Sequence, residues 1–100
     1  MAEVRLSPAA EQDMRGIWLH TAERWSTAQA DHYINEIFDC LEGIAAHPHI
    51  GQAVDWVRPG YRRKVVGSHR VFYRIADDGN PEIIRILHGR MDVDDKADSW

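Results

Sequence analysis

Two long amphipathic segments, one directly after the other, constrain this chain more than any other feature of its sequence. Apolar side chains recur at helical spacing over residues 8–24 and again over residues 30–45, which predicts two helices that each bury one side. Ser7 and Ser26 precede the two segments and suit helix N-termini, and His47-Pro48 ends the second segment. Because the turn between the segments is tight, we expect an antiparallel helical hairpin.

The apolar stripe of each helix predicts which side chains are buried. Trp18 lies at the centre of the first stripe, and Ile34 and Phe38 lie at the centre of the second. Large side chains at the centre of such a stripe face the core of a protein. We therefore expect truncation of a buried aromatic here to destabilise the fold strongly.

Three short segments with β-strand character follow the helices. Residues 61–66, 69–76 and 82–88 are rich in Val, Ile, Tyr and Phe, and turn residues separate them. Such short connections require antiparallel pairing. Residues 4–6 resemble one more short strand, and residues 47–60 resemble a loop. The helical hairpin is the only available cover for one sheet face, so we predict a two-layer α+β fold in the order β-α-α-β-β-β, with a mainly antiparallel sheet.

The length of the chain limits its organisation. One hundred residues have room for a single core, so residues 1–100 are predicted to form one domain with a short acidic C-terminal tail from about residue 92. Trp100 is the one residue of that tail with an expected anchoring role. No apolar run approaches the length of a membrane span, and the N-terminus lacks the features of a signal peptide. These features predict a cytoplasmic protein without membrane contact.

Charge is distributed unevenly along the chain. Residues 1–50 carry three basic and eight acidic side chains, whereas residues 58–90 carry eight basic and three acidic ones. The net charge of the whole chain is −4, which argues against direct DNA binding because non-specific affinity depends on the number of phosphates neutralised. The basic stretch therefore suggests a local site for an acidic protein segment or for a few phosphates.

Side-chain alternation divides the three strands into two faces. The residues assigned to the core face are Tyr61, Arg63, Val65, Val71, Tyr73, Ile75, Ile84, Ile86 and His88. The residues assigned to the opposite face are Arg62, Lys64, Val66, Arg70, Phe72, Arg74, Ile83, Arg85 and Leu87. In this scheme Arg63 falls on the core face, which requires an edge position or a bulge.

The opposite face combines five cations with four apolar side chains. Each cation taken alone is most simply a solvated surface residue. An exposed surface with this much apolar area is uncommon on a free monomer, however, and marks a binding site. We therefore predict that a partner covers this face.

Catalysis and metal binding find little support in the sequence. The chain has six histidines, but none lies at a paired metal-ligand spacing, so we predict no metal site and no cofactor. Cys40 is the single cysteine and cannot form an internal disulfide. Phosphodiester cleavage would need a base, a cation and an acid, for which Lys64, Arg70, His88 and Arg90 are candidates. No spacing requires such roles, and we assign no catalytic residue.

An ordered set of short motifs resembles the ParE toxins of bacterial type II toxin-antitoxin modules, within the RelE/ParE superfamily. The resemblance covers residues 4 to 92. Its motifs are Leu6-Ser7-Pro8-Ala9-Ala10-Glu11-Gln12-Asp13, Ile17-Trp18, Gln29-Ala30-Asp31-His32-Tyr33, His47-Pro48-His49-Ile50-Gly51, Gly60-Tyr61-Arg62-Arg63, Ser68-His69-Arg70-Val71-Phe72-Tyr73-Arg74 and Ile83-Ile84-Arg85-Ile86-Leu87-His88-Gly89-Arg90-Met91-Asp92.

This resemblance implies a toxin that forms a hetero-oligomer with a ParD-like ribbon-helix-helix antitoxin and inhibits DNA gyrase. RelE-like relatives instead cut messenger RNA in the ribosome. Arg70 and Arg90 match positions of catalytic arginines in those nucleases, but no tyrosine follows Arg90. A gyrase inhibitor, a ribosome-dependent ribonuclease and a degenerate toxin that only binds its antitoxin all stay open.

The hypothesis for antitoxin or target binding unites the basic and apolar residues of the predicted outer face with the arginine of the C-terminal motif. Its members are Arg62, Lys64, Arg70, Phe72, Arg74, Ile83, Arg85, Leu87 and Arg90.

Overall fold

A computed structural model describes residues 3–90 and Trp100. The elements are β1 (Arg5–Leu6), α1 (Pro8–Arg24), α2 (Thr27–Ala46), β2 (Gln52–Ala53), β3 (Tyr61–Val66), β4 (His69–Ile75) and β5 (Pro81–His88). The five strands form one sheet in the order β1-β5-β4-β3-β2, in which β1 is parallel to β5 and the other neighbours are antiparallel. The predicted α+β class is confirmed. The predicted acidic tail lies outside the described residues except for Trp100.

The two helices begin at the serines that the sequence indicated. The Ser7 hydroxyl accepts a hydrogen bond from the Ala10 N–H, and the Ser26 hydroxyl accepts one from the Gln29 N–H, both at 3.0 Å. Each serine thereby satisfies a backbone donor that has no partner inside its helix. None of the helices in the described part of the chain is long and apolar enough to span a bilayer.

The helical hairpin covers one sheet face and forms the main core with it. We call this the helix-side core. Its buried members are Ala10, Met14, Ile17, Ile37, Leu41, Ile44, Val71, Tyr73, Ile83 and Ile86. On α2 the buried positions follow the period of one helix face, and Phe38 lies one residue, or about 100° of helix rotation, away from Ile37. Phe38 is 47% exposed, so the prediction that it is buried is wrong.

Trp18 and Ile34 lie at the margin of this core, and both are half-buried. Ile34 packs against the helix-side core. The Trp18 indole N–H donates a 2.8 Å hydrogen bond to an Asp31 carboxylate oxygen. Trp18 therefore links α1 to α2 beside the core, whereas the sequence placed it at the centre.

Strand β3 has the opposite facing from the one predicted. Lys64 pairs with Val71 and Arg62 pairs with Tyr73, both of which face the helices, while Arg63 pairs with Phe72 on the other face. Directly paired residues in a sheet share a face. Arg62, Lys64 and Val66 therefore face the helix side, and Tyr61, Arg63 and Val65 face away. The position of Arg63 needs no bulge in β3.

A bulge in β5 changes which of its residues face the helices. Phe72 pairs with Arg85 whereas the next residue, Tyr73, pairs with Ile83, so Ile84 is the extra residue. Ile83 is fully buried in the helix-side core, and Ile84 lies on the opposite face. The predicted facings of Ile83 and Ile84 are therefore wrong, while those of Ile86 and Leu87 are correct.

Candidate functional site

The sheet face away from the helices, which we call the far face, carries a second apolar cluster. Its buried members are Val54, Tyr61, Phe72, Ile84 and Leu87, and Val57 and Trp100 pack against them. We call this set the far-face cluster. Phe72 and Leu87 do face away from the helices, as predicted, but Phe72 is 0% and Leu87 2% exposed. The expected open apolar surface is therefore a small core with its own cover.

Trp100 forms much of that cover. Its ring stacks on Tyr61 with a centroid distance of 6.2 Å and lies tilted against Phe72 at 5.0 Å. The Arg58 guanidinium donates a 3.2 Å hydrogen bond to the main-chain oxygen of Trp100. The anchoring role expected for Trp100 is confirmed by these contacts. Sequence alone showed no partner for it, because more than 25 residues separate it from Phe72 along the chain.

Arginines border the far-face cluster. Arg70 and Arg74 lie on this face as predicted, and Arg63, which the sequence placed in the core, joins them. Arg74 contacts Glu82 through Nε alone, at 3.3 Å. Arg63 donates a 3.0 Å hydrogen bond to the side-chain oxygen of Gln52. These exposed or half-buried cations give the far face a basic rim.

Two other predicted cations face the helix side. The Arg62 guanidinium donates hydrogen bonds to the main-chain oxygens of Gly51 at 2.8 Å and His49 at 3.3 Å. Lys64 lies near the Cys40 thiol, where burial raises the pKa of that thiol and the lysine charge opposes the rise. Neither side chain belongs to the far face.

Arg85 is tied into the fold. Its guanidinium makes two hydrogen bonds to the Asp13 carboxylate, at 2.8 and 2.9 Å, and the Ile86 N–H donates to the same carboxylate at 2.9 Å. Hydrogen bonding to Asp13 raises the pKa of Arg85. The pair is 22% and 14% exposed, and it fastens α1 to the bulged part of β5. Arg85 therefore connects the layers and is less available to a partner than the sequence suggested.

The structure brings Arg70 close to the turn that carries Arg90. The Arg70 guanidinium packs over Gly89 so closely that a Cβ there would clash with it. The Arg90 N–H donates a 3.1 Å hydrogen bond to His88 Nδ1. Both residues lie at the end of the sheet where β4 begins and β5 ends. Arg70, His88 and Arg90 thus form a basic corner beside the far face.

A cluster on the helix side of the same corner has no counterpart among the predicted site residues. His69 Nδ1 lies 2.7 Å from the Tyr33 hydroxyl, which also accepts a hydrogen bond from the Ser68 N–H at 3.1 Å. Burial, followed by the nearby His88, lowers the pKa of His69 to about 4. The rings of His69 and His88 meet edge to face at 5.3 Å. This cluster fastens the β3–β4 turn to α2.

Comparisons with known proteins agree with this architecture. Residues 4–93 match the family model described as the ParE toxin of the type II toxin-antitoxin system parDE. The chain is 46% identical over 89 residues to Toxin ParE1 of Mycobacterium tuberculosis, covering 89% of this chain and 91% of that protein. It is 44% identical over 93 residues to Toxin ParE1 of Caulobacter vibrioides, covering 93% and 95%.

Two solved structures share the fold. A chain of the chromosomal ParDE system from P. aeruginosa superposes with a TM-score of 0.77 at 17% identity, covering 88% of this chain and 96% of the other. A chain of the toxin-antitoxin complex RelBE2 from Mycobacterium tuberculosis superposes with a TM-score of 0.67 at 18% identity, covering 87% and 96%.

Proposed function

This chain belongs to the ParE toxin family of type II toxin-antitoxin systems, and we propose that a ParD-like antitoxin neutralises it and that the free toxin inhibits DNA gyrase. Family membership carries this proposal. The P. aeruginosa chain of similar fold comes from a ParDE system, which supports an antitoxin of the ParD type as the partner. Inhibition of gyrase would place the toxin in the cytoplasm and would stall replication.

We place the antitoxin on the far face. Arg63, Arg70 and Arg74 border the covered far-face cluster, and Val65, directly opposite Arg70, offers an apolar side chain there that is 53% exposed. An acidic segment with apolar side chains complements such a surface, because the charges steer association and apolar burial slows dissociation.

The proposed binding set differs from the one derived from sequence. Arg70, Arg74 and Arg90 stay in it as charged contacts, whereas Phe72 and Leu87 are buried and only support the surface from beneath. Arg63 joins the set. The residues that leave it are Arg62, Lys64, Ile83 and Arg85, because they face the helix side or are bound within the fold.

Gyrase inhibition is tested directly with purified proteins. We expect the free toxin to reduce DNA supercoiling by gyrase or to trap cleaved DNA, and an excess of antitoxin to restore supercoiling. Ribosomes that carry a defined messenger RNA serve as the parallel substrate. Unchanged gyrase activity together with cleaved message would contradict the proposal and indicate a ribonuclease.

The basic corner gives the ribonuclease alternative its one structural support. Arg70 and Arg90 lie beside His88, and guanidinium groups can stabilise a phosphorane-like transition state. No tyrosine follows Arg90 in the sequence. If neither gyrase nor message is affected while the antitoxin still binds, the chain is a degenerate toxin.

A further inference from the structure

A cavity of about 490 Å³ opens beside the far-face cluster, where α1 begins. We call it the anchor pocket. It is lined by Ser7, Pro8, Ala9, Tyr61, Arg74, Glu82, Ile84, Arg85 and Trp100.

Positive charge is concentrated at one side of the anchor pocket. The Arg74 guanidinium contacts Glu82 through Nε alone, so its two terminal nitrogens can meet a ligand. The first turn of the 17-residue helix α1 also lines the pocket, with Pro8 and Ala9. Pro8 has no N–H and the Ala10 N–H is bonded to Ser7, so the Ala9 N–H is the backbone donor of the lining, and its partial positive charge adds to that of Arg74.

A second and independent feature is the indole of Trp100. Its Nε1 atom is buried and has no hydrogen-bond acceptor in the described part of the chain. Buried polar groups almost always have a partner, because an unsatisfied donor destabilises the fold. The same indole lines the anchor pocket, so the unpaired donor belongs to a residue of the pocket wall.

The remaining wall of the pocket is apolar. Tyr61, Ile84 and Trp100 supply it. We propose that the anchor pocket binds one large apolar residue of the antitoxin together with an adjacent carboxylate, which pairs with Arg74 and accepts from the Trp100 indole. The identity of this partner rests on the proposed function.

The charge of the pocket favours a peptide carboxylate over a nucleic-acid phosphate. Glu82 lies in the lining and repels a run of phosphates. The net charge of the chain is −4, which weakens attraction to a polyanion. A single carboxylate beside an apolar side chain needs only a guanidinium with free N–H donors and an apolar wall; Arg74, whose contact with Glu82 leaves its two terminal nitrogens free, provides the donors.

Two small probes test the pocket on the full chain without the antitoxin. Nuclear magnetic resonance compares N-acetyl-phenylalanine, which has a carboxylate, with N-acetyl-phenylalaninamide, which lacks one. We expect the acid to shift the Ala9 amide and Trp100 indole signals and to bind roughly tenfold more tightly than the amide, as a charge-assisted hydrogen bond would produce. Equal affinity for both probes, or binding of neither, would overturn the proposal.

Two variants test the proposed hydrogen-bond donors, the Arg74 guanidinium and the Trp100 indole N–H. Arg74→Gln should reduce the affinity for the acid to that of the amide, and Trp100→Phe, which keeps a ring but removes the N–H, should reduce it severalfold. Arg24→Gln is the matched control, because Arg24 lies in the last turn of α1, away from the pocket. If Arg24→Gln lowers the affinity for the acid as much as Arg74→Gln does, the loss reflects the net charge of the chain and the proposed binding in the anchor pocket is refuted.

The antitoxin then separates the two proposals. If the probes bind as expected and Trp100→Phe, at a pocket residue outside the proposed charged rim, also weakens binding of the purified cognate antitoxin severalfold, the pocket holds its anchor. If the probes bind the unsubstituted chain as expected but the variant binds the antitoxin with unchanged affinity, the antitoxin is not the occupant of the pocket. The assignment of the chain as a toxin would stay intact. Tighter binding of a short single-stranded DNA than of the acid would identify a nucleic-acid site instead.

Discussion

The two faces of the sheet are both packed, but they are covered in different ways. Two helices of 17 and 20 residues cover the helix-side core, whereas the side chains that pack against the far-face cluster are Val57, from a loop, and Trp100. The helix-side cover is fastened by the half-buried Asp13–Arg85 pair, whereas arginines border the far face. One face therefore serves mainly stability, and the other combines a structural floor with a rim that suits a partner.

The largest expected effect tests whether the helix side is the main core. Val71 is fully buried there, and Val71→Asp would bury an unpaired carboxylate, which we expect to abolish folding. Val65→Asp is the matched control, because Val65 is 53% exposed on the neighbouring strand. Circular dichroism with thermal melting measures both. A folded Val71→Asp protein would show that the two faces are assigned the wrong way round.

Next in size is the effect of emptying the far-face cluster. Phe72 is fully buried beneath Trp100, so Phe72→Ala should lower the free energy of unfolding by about 3 to 5 kcal/mol. If the far face were an open binding surface, the same substitution would have little effect on stability. Phe38→Ala, at a 47% exposed position, is the control and should cost less than about 1 kcal/mol. Urea unfolding measures both, and similar costs would mean that the far face has no core of its own.

Disconnecting the two layers should have an intermediate effect. Asp13→Asn leaves the half-buried Arg85 without its charged partner, which we expect to destabilise the fold by about 2 kcal/mol. The exposed pair Arg5–Asp78, at 2.9 Å, supplies the comparison, and Asp78→Asn should leave the melting temperature nearly unchanged. If both substitutions shift the melting temperature equally, the Asp13–Arg85 pair contributes no more than a surface ion pair.

The smallest expected effect concerns pH and the helix-side cluster at Tyr33. The pKa of His69 is about 4 in the folded protein, below its ordinary value of 6.5, so the unfolded chain binds the proton first. The stabilisation from neutral His69 is therefore complete above about pH 6.5 and is lost as the pH falls towards 4. His69→Gln should lose less stability over this interval than the unsubstituted protein. Parallel urea curves at several pH values measure the difference.

Local signals explain why the helices were predicted so closely. The caps at Ser7 and Ser26 and the break at His47-Pro48 act within a few residues, and the helical period repeats over four or five turns. The predicted range of α1 is therefore exact, whereas α2 begins at Thr27, three residues before the predicted apolar segment. The strands β3, β4 and β5 were also placed to within a residue, because turn residues separate them. Strand β2 was missed because two residues carry no periodic signal.

Local signals did not predict which strand residues face the helices and which face away from them. In β5 the pairs Ile83-Ile84 and Ile86-Leu87 are apolar in succession, since both faces of this strand are buried. Alternation of apolar and polar residues therefore cannot show which residues face the helices. The bulge at Ile84 also reverses the alternation partway along the strand. In β3 the basic and apolar residues alternate poorly, so the cations were given to the wrong face. The candidate site consequently included Arg62 and Lys64 and omitted Arg63.

The element order, the α+β class and the resemblance to ParE toxins follow from the sequence, because each depends on neighbouring residues or on motifs read in order. Contacts in the folded chain were needed to show which arginines meet on the far face, that Asp13 binds Arg85, and that Trp100 covers Phe72 beside the anchor pocket. These contacts join residues far apart in the chain. Their geometry follows from the pairing register and the bulge, and neither is encoded in a local pattern.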